Sequence, residues 1–147
     1  MAISTEMTEP MAKILLVDDE AETRANLRAM LELMGHEVRD AAEGRDGCLL
    51  AEGQLFDCAV VDIFMPGMDG LETIQILKSL RPELPVVALA GEGRISPDLA
   101  CRLALALGAD HALRKPVDTA ALSAVFDSAS WSVPSGGARP HAPAPAP

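Results

Sequence analysis

Charged residues follow three short apolar runs of strand character in this 147-residue chain. The runs are Ile14–Val17, Ala59–Val61 and Ala112–Leu113. Asp18 and Asp19 follow the first run, Asp62 follows the second, and Lys115 lies just beyond the third. Because the carboxyl ends of the strands form the ligand crevice of an open parallel α/β sheet, we expect these four side chains to meet in one pocket. Such a pocket would suit an aspartate that accepts a phosphoryl group beside a divalent cation.

Two of these aspartates also have simpler explanations. Asp62 opens the segment Asp62-Ile63-Phe64-Met65-Pro66-Gly67-Met68-Asp69-Gly70, whose Pro-Gly and Asp-Gly pairs predict a turn, and aspartate commonly opens turns. Asp19 could serve only as the N-cap of a helix that begins near Glu20. Neither explanation accounts for Asp18 at a strand end, and a turn at Asp62 does not require an acidic pair across the pocket.

The spacing of apolar residues predicts five strands that alternate with five helices. The predicted strands are β1 (about 13–17), β2 (short, from Val38), β3 (Phe56–Val61), β4 (Pro85–Leu89) and β5 (Ala112–Arg114). The predicted helices are α1 (Glu20–Met34), α2 (Arg45–Gln54), α3 (Leu71–Leu80), α4 (Pro97–Leu107) and α5 (Thr119 to about Ser130). Gly35 and Gly108 are placed to end α1 and α4. This alternation favours an α/β fold, a parallel sheet wound on both faces.

The acidic pair, the D-x-x-M-P-G-M-D-G loop and the Lys115-Pro116 dipeptide occur together and in this order, each at a strand end. Over about residues 11–130 the chain therefore resembles the receiver domains of response regulators, the CheY-like phospho-acceptor domains of two-component signalling. The resemblance implies a flavodoxin-like, doubly wound five-stranded sheet of order 2-1-3-4-5, with the site where β1 and β3 part. It also implies that Asp62 accepts the phosphoryl group, that Lys115 pairs with Asp62, and that Pro116 follows a cis peptide bond.

The resemblance further implies a Mg²⁺ site. Asp19 and Asp62 would bind the ion directly, Asp18 would act through a water molecule, and the main-chain carbonyl of Phe64 would complete the set. Carboxylates held this close repel one another, so they need a metal or a proton to compensate their charge. Mg²⁺ suits a site with few carboxylates, several waters and phosphate oxygens.

The sequence departs from the family at two switch positions. Ala90 stands at the end of β4, where relatives carry the Thr or Ser that holds the phosphoryl group, and Ala112 replaces the usual Tyr or Phe of β5. Loss of the hydroxyl removes one hydrogen bond to a charged group, about 1.5–3 kcal/mol. The glycines of Gly91-Glu92-Gly93 could compensate through main-chain N–H groups, although Glu92 would oppose a bound phosphate. We expect the stretch Gly91–Pro97 to be mobile and to carry the readout, together with α4.

Composition excludes several classes of function. The net charge of −10 argues against a nucleic-acid surface, which would need a basic patch. No apolar run approaches the ~20 residues of a membrane span, and residues 1–10 lack the pattern of a secretory signal. Three cysteines without metal-site spacing indicate reduced, buried thiols of a cytoplasmic protein.

The expected organisation is a flexible leader (1–10), a receiver domain (11–131) and a disordered Pro/Ala-rich tail (132–147). No effector domain follows, which favours a stand-alone receiver that signals by protein contact. Its expected partners are a sensor histidine kinase or a histidine phosphotransfer protein, and a downstream protein on the α4-β5-α5 face, with a homodimer as a further form of contact.

In α4, a stripe at helical spacing is predicted to face the core, whereas Leu105 lies nearly opposite it. The members of the stripe are Leu99, Leu103 and Leu107.

Three other classes of protein are alternatives to a phosphorylated receiver. A phosphatase of the haloacid-dehalogenase class needs a second aspartate two residues after the nucleophile, where Phe64 stands, so we do not expect an enzyme. A pseudo-receiver, which binds proteins without phosphorylation, is favoured by Ala90 and Ala112 and opposed by the intact acidic residues and lysine. An FMN-binding flavodoxin is disfavoured, because the turn after β1 is acidic rather than rich in Gly, Ser and Thr.

Overall fold

The computed structural model describes residues 11–65 and 69–127. In these residues the strands are β1 Lys13–Val17, β2 Glu37–Ala41, β3 Cys58–Asp62, β4 Val86–Ala90 and β5 His111–Arg114. The helices are α1 Ala21–Leu33, α2 Gly44–Gly53, α3 Gly70–Leu80, α4 Pro97–Ala106 and α5 Thr119–Phe126. Each predicted element is present. The clearest difference is in α5, which ends at Phe126 rather than near Ser130, a residue outside the described range.

The five strands form one parallel sheet of order β2-β1-β3-β4-β5, which confirms the predicted flavodoxin-like topology. Val17, the last residue of β1, pairs with Ala41 of β2 on one side and with Val61 of β3 on the other. Because these partners stand at the same level, Asp18 and Asp62 leave the sheet side by side. This is the switch point at which ligands bind in doubly wound folds.

The core lies on both faces of the sheet. Every residue of β3 and β4 is buried, because helices cover the sheet on either side and leave no face for water. Alternate residues of β1 enter different clusters: Leu15 and Val17 pack with α2 and α3, whereas Ile14 and Leu16 pack with α1 and α5. Strands buried on both faces are stiff supports for the residues that follow them.

Helix α4 corrects one prediction. Leu99 and Leu103 are 40% and 38% exposed, and the core contacts of this helix come from Ala100 and Ala104. The prediction that the leucine stripe faces the core is therefore wrong for these two leucines, and Leu107 is only partly buried. The helix is apolar on nearly every side, so periodicity could not choose its buried face. The small alanines allow a closer approach to the sheet than leucines would.

The three cysteines are free thiols. Cys48 and Cys58 are buried and Cys101 is partly buried. Burial raises the pKa of Cys48 to about 11, with a further contribution from Glu52, which keeps this thiol protonated and unreactive at neutral pH. Every helix in 11–65 and 69–127 is too short or too polar to cross a bilayer. The predicted leader (1–10), Trp131 and the tail (132–147) lie outside the described residues.

Candidate functional site

Lys115 joins the two buried aspartates of the site. Its Nζ lies 3.1 Å from Oδ2 of Asp18 and 3.2 Å from Oδ1 of Asp62. The three residues come from the ends of β1, β3 and β5, so the sheet brings together side chains that are up to 97 positions apart. The peptide bond between Lys115 and Pro116 is cis.

The carboxylates of Asp18, Asp19 and Asp62 each offer an oxygen, and these oxygens lie within 4.8 Å of one another. Asp18 and Asp62 are buried, whereas Asp19 is exposed and leaves the group open to solvent. One ammonium cannot neutralise three carboxylates, so the remaining negative charge favours a cation. An all-oxygen donor set with one open side fits Mg²⁺, which keeps several waters when it binds.

Asp18 is held on three sides. Its Oδ1 accepts a hydrogen bond from the main-chain N–H of Glu20 at 2.9 Å, and its own N–H donates to the carbonyl of Ala41 at 3.1 Å. The Nη1 of Arg24 donates to the main-chain carbonyl of Asp18 at 2.8 Å. Glu20 occupies the N-cap position of α1. Asp19 is therefore not the helix cap, which removes its simpler explanation.

Glycine allows α3 to begin against the acidic site. A Cβ at Gly70, the first residue of α3, would overlap with the main-chain carbonyl oxygen of Asp62, so a larger residue would push the helix away. The N–H of Gly70 donates to the carbonyl of Ile63 at 2.9 Å, and Asp69 caps the helix by accepting from Glu72 N–H at 2.8 Å. These contacts fix both ends of the loop that follows Asp62, whose residues 66–68 lie outside the described range.

The two charged partners in the site shift each other's pKa. Burial raises the pKa of Asp62 to about 6, Lys115 opposes this rise, and Asp18 and Asp19 add to it. Burial acts to lower the pKa of Lys115, but the attraction of Asp62 and Asp18 is stronger and raises it. Lys115 is therefore an ammonium throughout the physiological range, whereas Asp62 changes its charge close to that range.

The switch positions are occupied by small apolar side chains. Ala90 is buried at the end of β4, and its carbonyl accepts a hydrogen bond from the N–H of Lys115 at 2.8 Å. Ala112 is partly buried on β5 and pairs with Ala88. Neither side chain offers a hydroxyl or an aromatic ring, so any contact with a bound phosphoryl group at this edge must come from other residues.

A cavity of about 380 Å³ opens above the acidic residues. Its lining residues are Asp19, Glu20, Asp62, Phe64, Gly91, Glu92 and Lys115. Glu92 thus adds a further acidic residue to the lining of this cavity. The cavity is lined by the predicted acceptor Asp62, by Asp19 and Phe64 of the predicted metal ligands, and by the loop after β4.

Sequence reasoning missed two contacts. Nothing in the spacing of Arg24 predicts that its guanidinium reaches the main-chain carbonyl of Asp18. Gly93 stands against the ring of Phe64, because a Cβ at this glycine would lie 2.7 Å from three of the ring atoms. Only the Gly-x-Gly spacing at Gly91 and Gly93 could have suggested a close approach of this loop.

Comparison with known proteins agrees with this geometry. Residues 14–127 match the family described as "Response regulator receiver domain". The chain is similar to the response regulator MprA of Mycolicibacterium vanbaalenii, with 36% identity over 104 residues that cover 71% of this chain and 44% of that protein. It is also similar to the transcriptional regulatory protein AfsQ1 of Streptomyces coelicolor, with 33% identity over 114 residues that cover 78% and 49%. The chain thus spans less than half the length of these curated relatives.

Solved structures show the same fold. A CheY-like receiver domain protein of Methanospirillum hungatei superposes with a TM-score of 0.70 and 30% identity, covering 77% of this chain and 88% of that one. A receiver domain protein of Clostridium thermocellum gives a TM-score of 0.71 and 32% identity, covering 77% and 89%.

Replacing Asp62 with asparagine should stabilise the metal-free protein at pH 8. The folded state holds Asp62 at a pKa of about 6, above its ordinary value of 3.8, so the ionised carboxylate disfavours folding above pH 6. The penalty fades as the pH falls from about 6 towards 4, because the folded state takes up the proton first. We expect Asp62→Asn to raise the free energy of unfolding by on the order of 1 kcal/mol at pH 8, and by less at pH 5, in urea titrations with EDTA.

The control is Glu83→Gln, which removes the same charge from an exposed position outside the helices. If Glu83→Gln stabilised the chain equally, the gain would reflect the net charge of −10 rather than the burial of Asp62.

Proposed function

Because this chain belongs to the response regulator receiver family of two-component signalling, we propose that Asp62 accepts a phosphoryl group from a phosphohistidine. The donor would be a sensor histidine kinase or a histidine phosphotransfer protein in the cytoplasm. The observation that carries the proposal is the contact of Lys115 Nζ with Asp18 and Asp62, at 3.1 and 3.2 Å, within one acidic group.

In the proposed transfer, a carboxylate oxygen of Asp62 attacks phosphorus. The new O–P bond forms as the P–N bond to the donor imidazole breaks, and the imidazole nitrogen keeps the electron pair. Lys115 Nζ, already beside Asp62 Oδ1, places a positive charge next to the oxygens on which negative charge develops. Attack requires the ionised carboxylate, which is the main form of Asp62 above its pKa of about 6.

By resemblance to the family, Asp19, Asp62 and the main-chain carbonyl of Phe64 would bind Mg²⁺ directly, and Asp18 would bind it through a water molecule. A bound Mg²⁺ would neutralise the carboxylates and attract the phosphoryl oxygens. The grouping of carboxylate oxygens within 4.8 Å supports this assignment.

The alternatives follow from particular residues. A pseudo-receiver, which binds partners without phosphorylation, is supported by Ala90 and Ala112 and opposed by the complete acid–lysine contact set. An aspartyl phosphatase is less well supported, because Phe64 stands where such an enzyme needs a carboxylic acid. We therefore propose a signalling role rather than an enzymatic one.

Incubation with Mg²⁺ and a small acyl-phosphate donor should add one phosphoryl group to the chain, detected by intact mass. The same treatment should leave Asp62→Asn unmodified, since an amide is not a nucleophile of comparable strength. EDTA should suppress the modification, because it removes the cation that the carboxylates need.

Modification of Asp62→Asn at the same rate would place the acceptor elsewhere. No modification of the unsubstituted chain by this donor or by a phosphorylated histidine phosphotransfer protein would favour the pseudo-receiver.

We further propose that the loop after β4 reports phosphorylation. Gly91 lies against Lys115, since a Cβ there would be 3.2 Å from Lys115 Cδ, and Gly93 lies against the ring of Phe64. The loop therefore contacts Lys115, which pairs with Asp62, and also Phe64, which stands two positions after Asp62. These contacts offer a route from the site to α4 that needs neither a hydroxyl at position 90 nor a ring at position 112.

Phosphorylation should shift the backbone amide resonances of residues 91–99 in NMR spectra. Gly93→Ala should shift the same resonances before phosphorylation, because the added methyl group would collide with Phe64, and should reduce the further change on phosphorylation. Gly53→Ala is the matched control, since a Cβ there meets open space among the described residues. Unchanged resonances at 91–99 in the phosphorylated chain would exclude this route.

The exposed leucines of α4 support the proposed contact surface on the α4-β5-α5 face. Leu99, Leu103 and Leu105 are 40%, 38% and 47% exposed on one short helix. Leu99 and Leu103 are one helical turn apart and form one exposed apolar strip, whereas Leu105 lies nearly opposite them. Exposed apolar side chains lower the free energy of a protein contact when they leave water. We propose that a downstream protein binds here, and that a second copy of this chain can occupy the same face.

Sedimentation velocity should reveal concentration-dependent association of the phosphorylated chain. Leu103→Glu should weaken it at least tenfold, since burial of a charge on an apolar surface is costly. Leu33→Glu, on α1 at 89% exposure, should leave it unchanged. A phosphorylated chain that stays monomeric would exclude the homodimer, and an equal effect of both variants would place the contact elsewhere.

A further inference from the structure

We propose that Arg24 is a positioning residue for the magnesium site, acting through the peptide that joins Asp18 to Asp19. This role rests on the proposed function, in which the two aspartates bind Mg²⁺. It assigns to a helix residue outside the acidic group a part in setting the affinity of that group for the ion.

The guanidinium of Arg24 makes two contacts in different directions. Its Nη1 donates to the main-chain carbonyl of Asp18 at 2.8 Å, and its Nε pairs with Oδ2 of Asp40 at 3.1 Å. A planar guanidinium presents donors at fixed angles, so the contact with Asp40 on β2 orients the donor that faces Asp18. Arg24 therefore links α1, β2 and the end of β1.

The Asp18 carbonyl belongs to the peptide plane between the two acidic residues. Holding this oxygen restricts rotation of the plane and so fixes how the backbone enters Asp19. The carboxylate of Asp18 is held separately, by Glu20 N–H at 2.9 Å and by Lys115 at 3.1 Å. Asp19 is exposed, so the position of its carboxylate follows from the course of its backbone.

Arg28 provides a matched comparison on the same helix. Its Nη1 donates to the other oxygen of Asp40, Oδ1, at 2.8 Å, and its Nε pairs with Glu32 at 2.9 Å. Among the described residues, no hydrogen bond joins Arg28 to Asp18. The two arginines thus share Asp40 and carry the same charge, but only Arg24 reaches the acidic turn.

Charge and positioning predict opposite results for the loss of Arg24. Removing a positive charge near the carboxylates makes the site more negative, which would strengthen Mg²⁺ binding. Removing the contact with the Asp18 carbonyl loosens the acidic turn, which would weaken binding. The sign of the change therefore separates the two roles.

The test is the Mg²⁺ dissociation constant of the unphosphorylated chain, measured by calorimetry for the unsubstituted protein, Arg24→Met and Arg28→Met. Methionine keeps the unbranched stem and a good helix propensity but removes the guanidinium. We expect Arg24→Met to bind Mg²⁺ about tenfold more weakly, the lower end of the effects known for groups that orient metal ligands. Arg28→Met should stay within about twofold of the unsubstituted chain or bind slightly more tightly.

Urea unfolding in EDTA shows whether each variant is folded before titration. If Arg24→Met does not fold, Arg24→Lys serves instead. Arg24→Lys keeps the charge, but one ammonium cannot donate to both Asp18 and Asp40 in the fixed directions of a guanidinium. Weaker Mg²⁺ binding is therefore again expected.

Equal affinities of Arg24→Met and the unsubstituted chain, or equal losses in both methionine variants, would overturn the role of Arg24 and leave the magnesium site intact. If the unsubstituted chain bound no Mg²⁺, the magnesium site of the proposed function would fail as well.

Discussion

The gathering of three carboxylates around one ammonium is the constraint on which the rest of the structure depends. Asp18 and Asp62 are buried, their oxygens lie within 4.8 Å of each other and of Asp19, and Lys115 is the cation that contacts both buried members. The three carboxylates repel one another, and burial removes part of their hydration. A flexible backbone would therefore let them move apart. The support is instead a pair of strands in register, β1 and β3, buried on both faces by helices. Part of the free energy of core packing thus offsets the cost of holding the three carboxylates close together.

The reach of Lys115 shows how the sheet order shapes the site. β3 and β4 lie between β1 and β5, so Lys115 must extend across neighbouring strand ends to contact Asp18. A long, unbranched stem can do this, and Gly91 at the end of β4 leaves the space, because a Cβ there would lie 3.2 Å from Lys115 Cδ. The main-chain N–H of Lys115 is meanwhile bound to the carbonyl of Ala90 at 2.8 Å. A movement of the end of β4 would therefore displace both the backbone and the side-chain stem of Lys115.

This coupling gives a physical meaning to the small residues at positions 90 and 112. The family resemblance implies that a hydroxyl and an aromatic ring at these positions would link the phosphoryl group to the output face. In the readout that we propose, the backbone of the loop after β4 makes this link instead, since Gly93 packs against the ring of Phe64. The loop leads directly into α4, whose Leu99 and Leu103 are exposed and whose Ala100 and Ala104 are buried. A shift of the loop would therefore be transmitted to an exposed apolar surface rather than absorbed by the core.

The sequence by itself determined the order of the elements, the strand order through family resemblance, and which residues gather at the site. The apolar runs that precede Asp18, Asp62 and Lys115 carry this information locally, since each run forms a strand of the sheet and each charged residue lies at or just beyond the end of that strand. Tertiary structure alone decided which face of α4 is buried, because a helix that is apolar nearly all round has no preferred side until its neighbours are in place. It also decided the contacts of Arg24 with Asp18 and of Gly93 with Phe64. The first depends on the orienting contact of Arg24 with Asp40 of β2, and the second joins loops that follow two different strands. Neither is recorded in a local pattern of residue types.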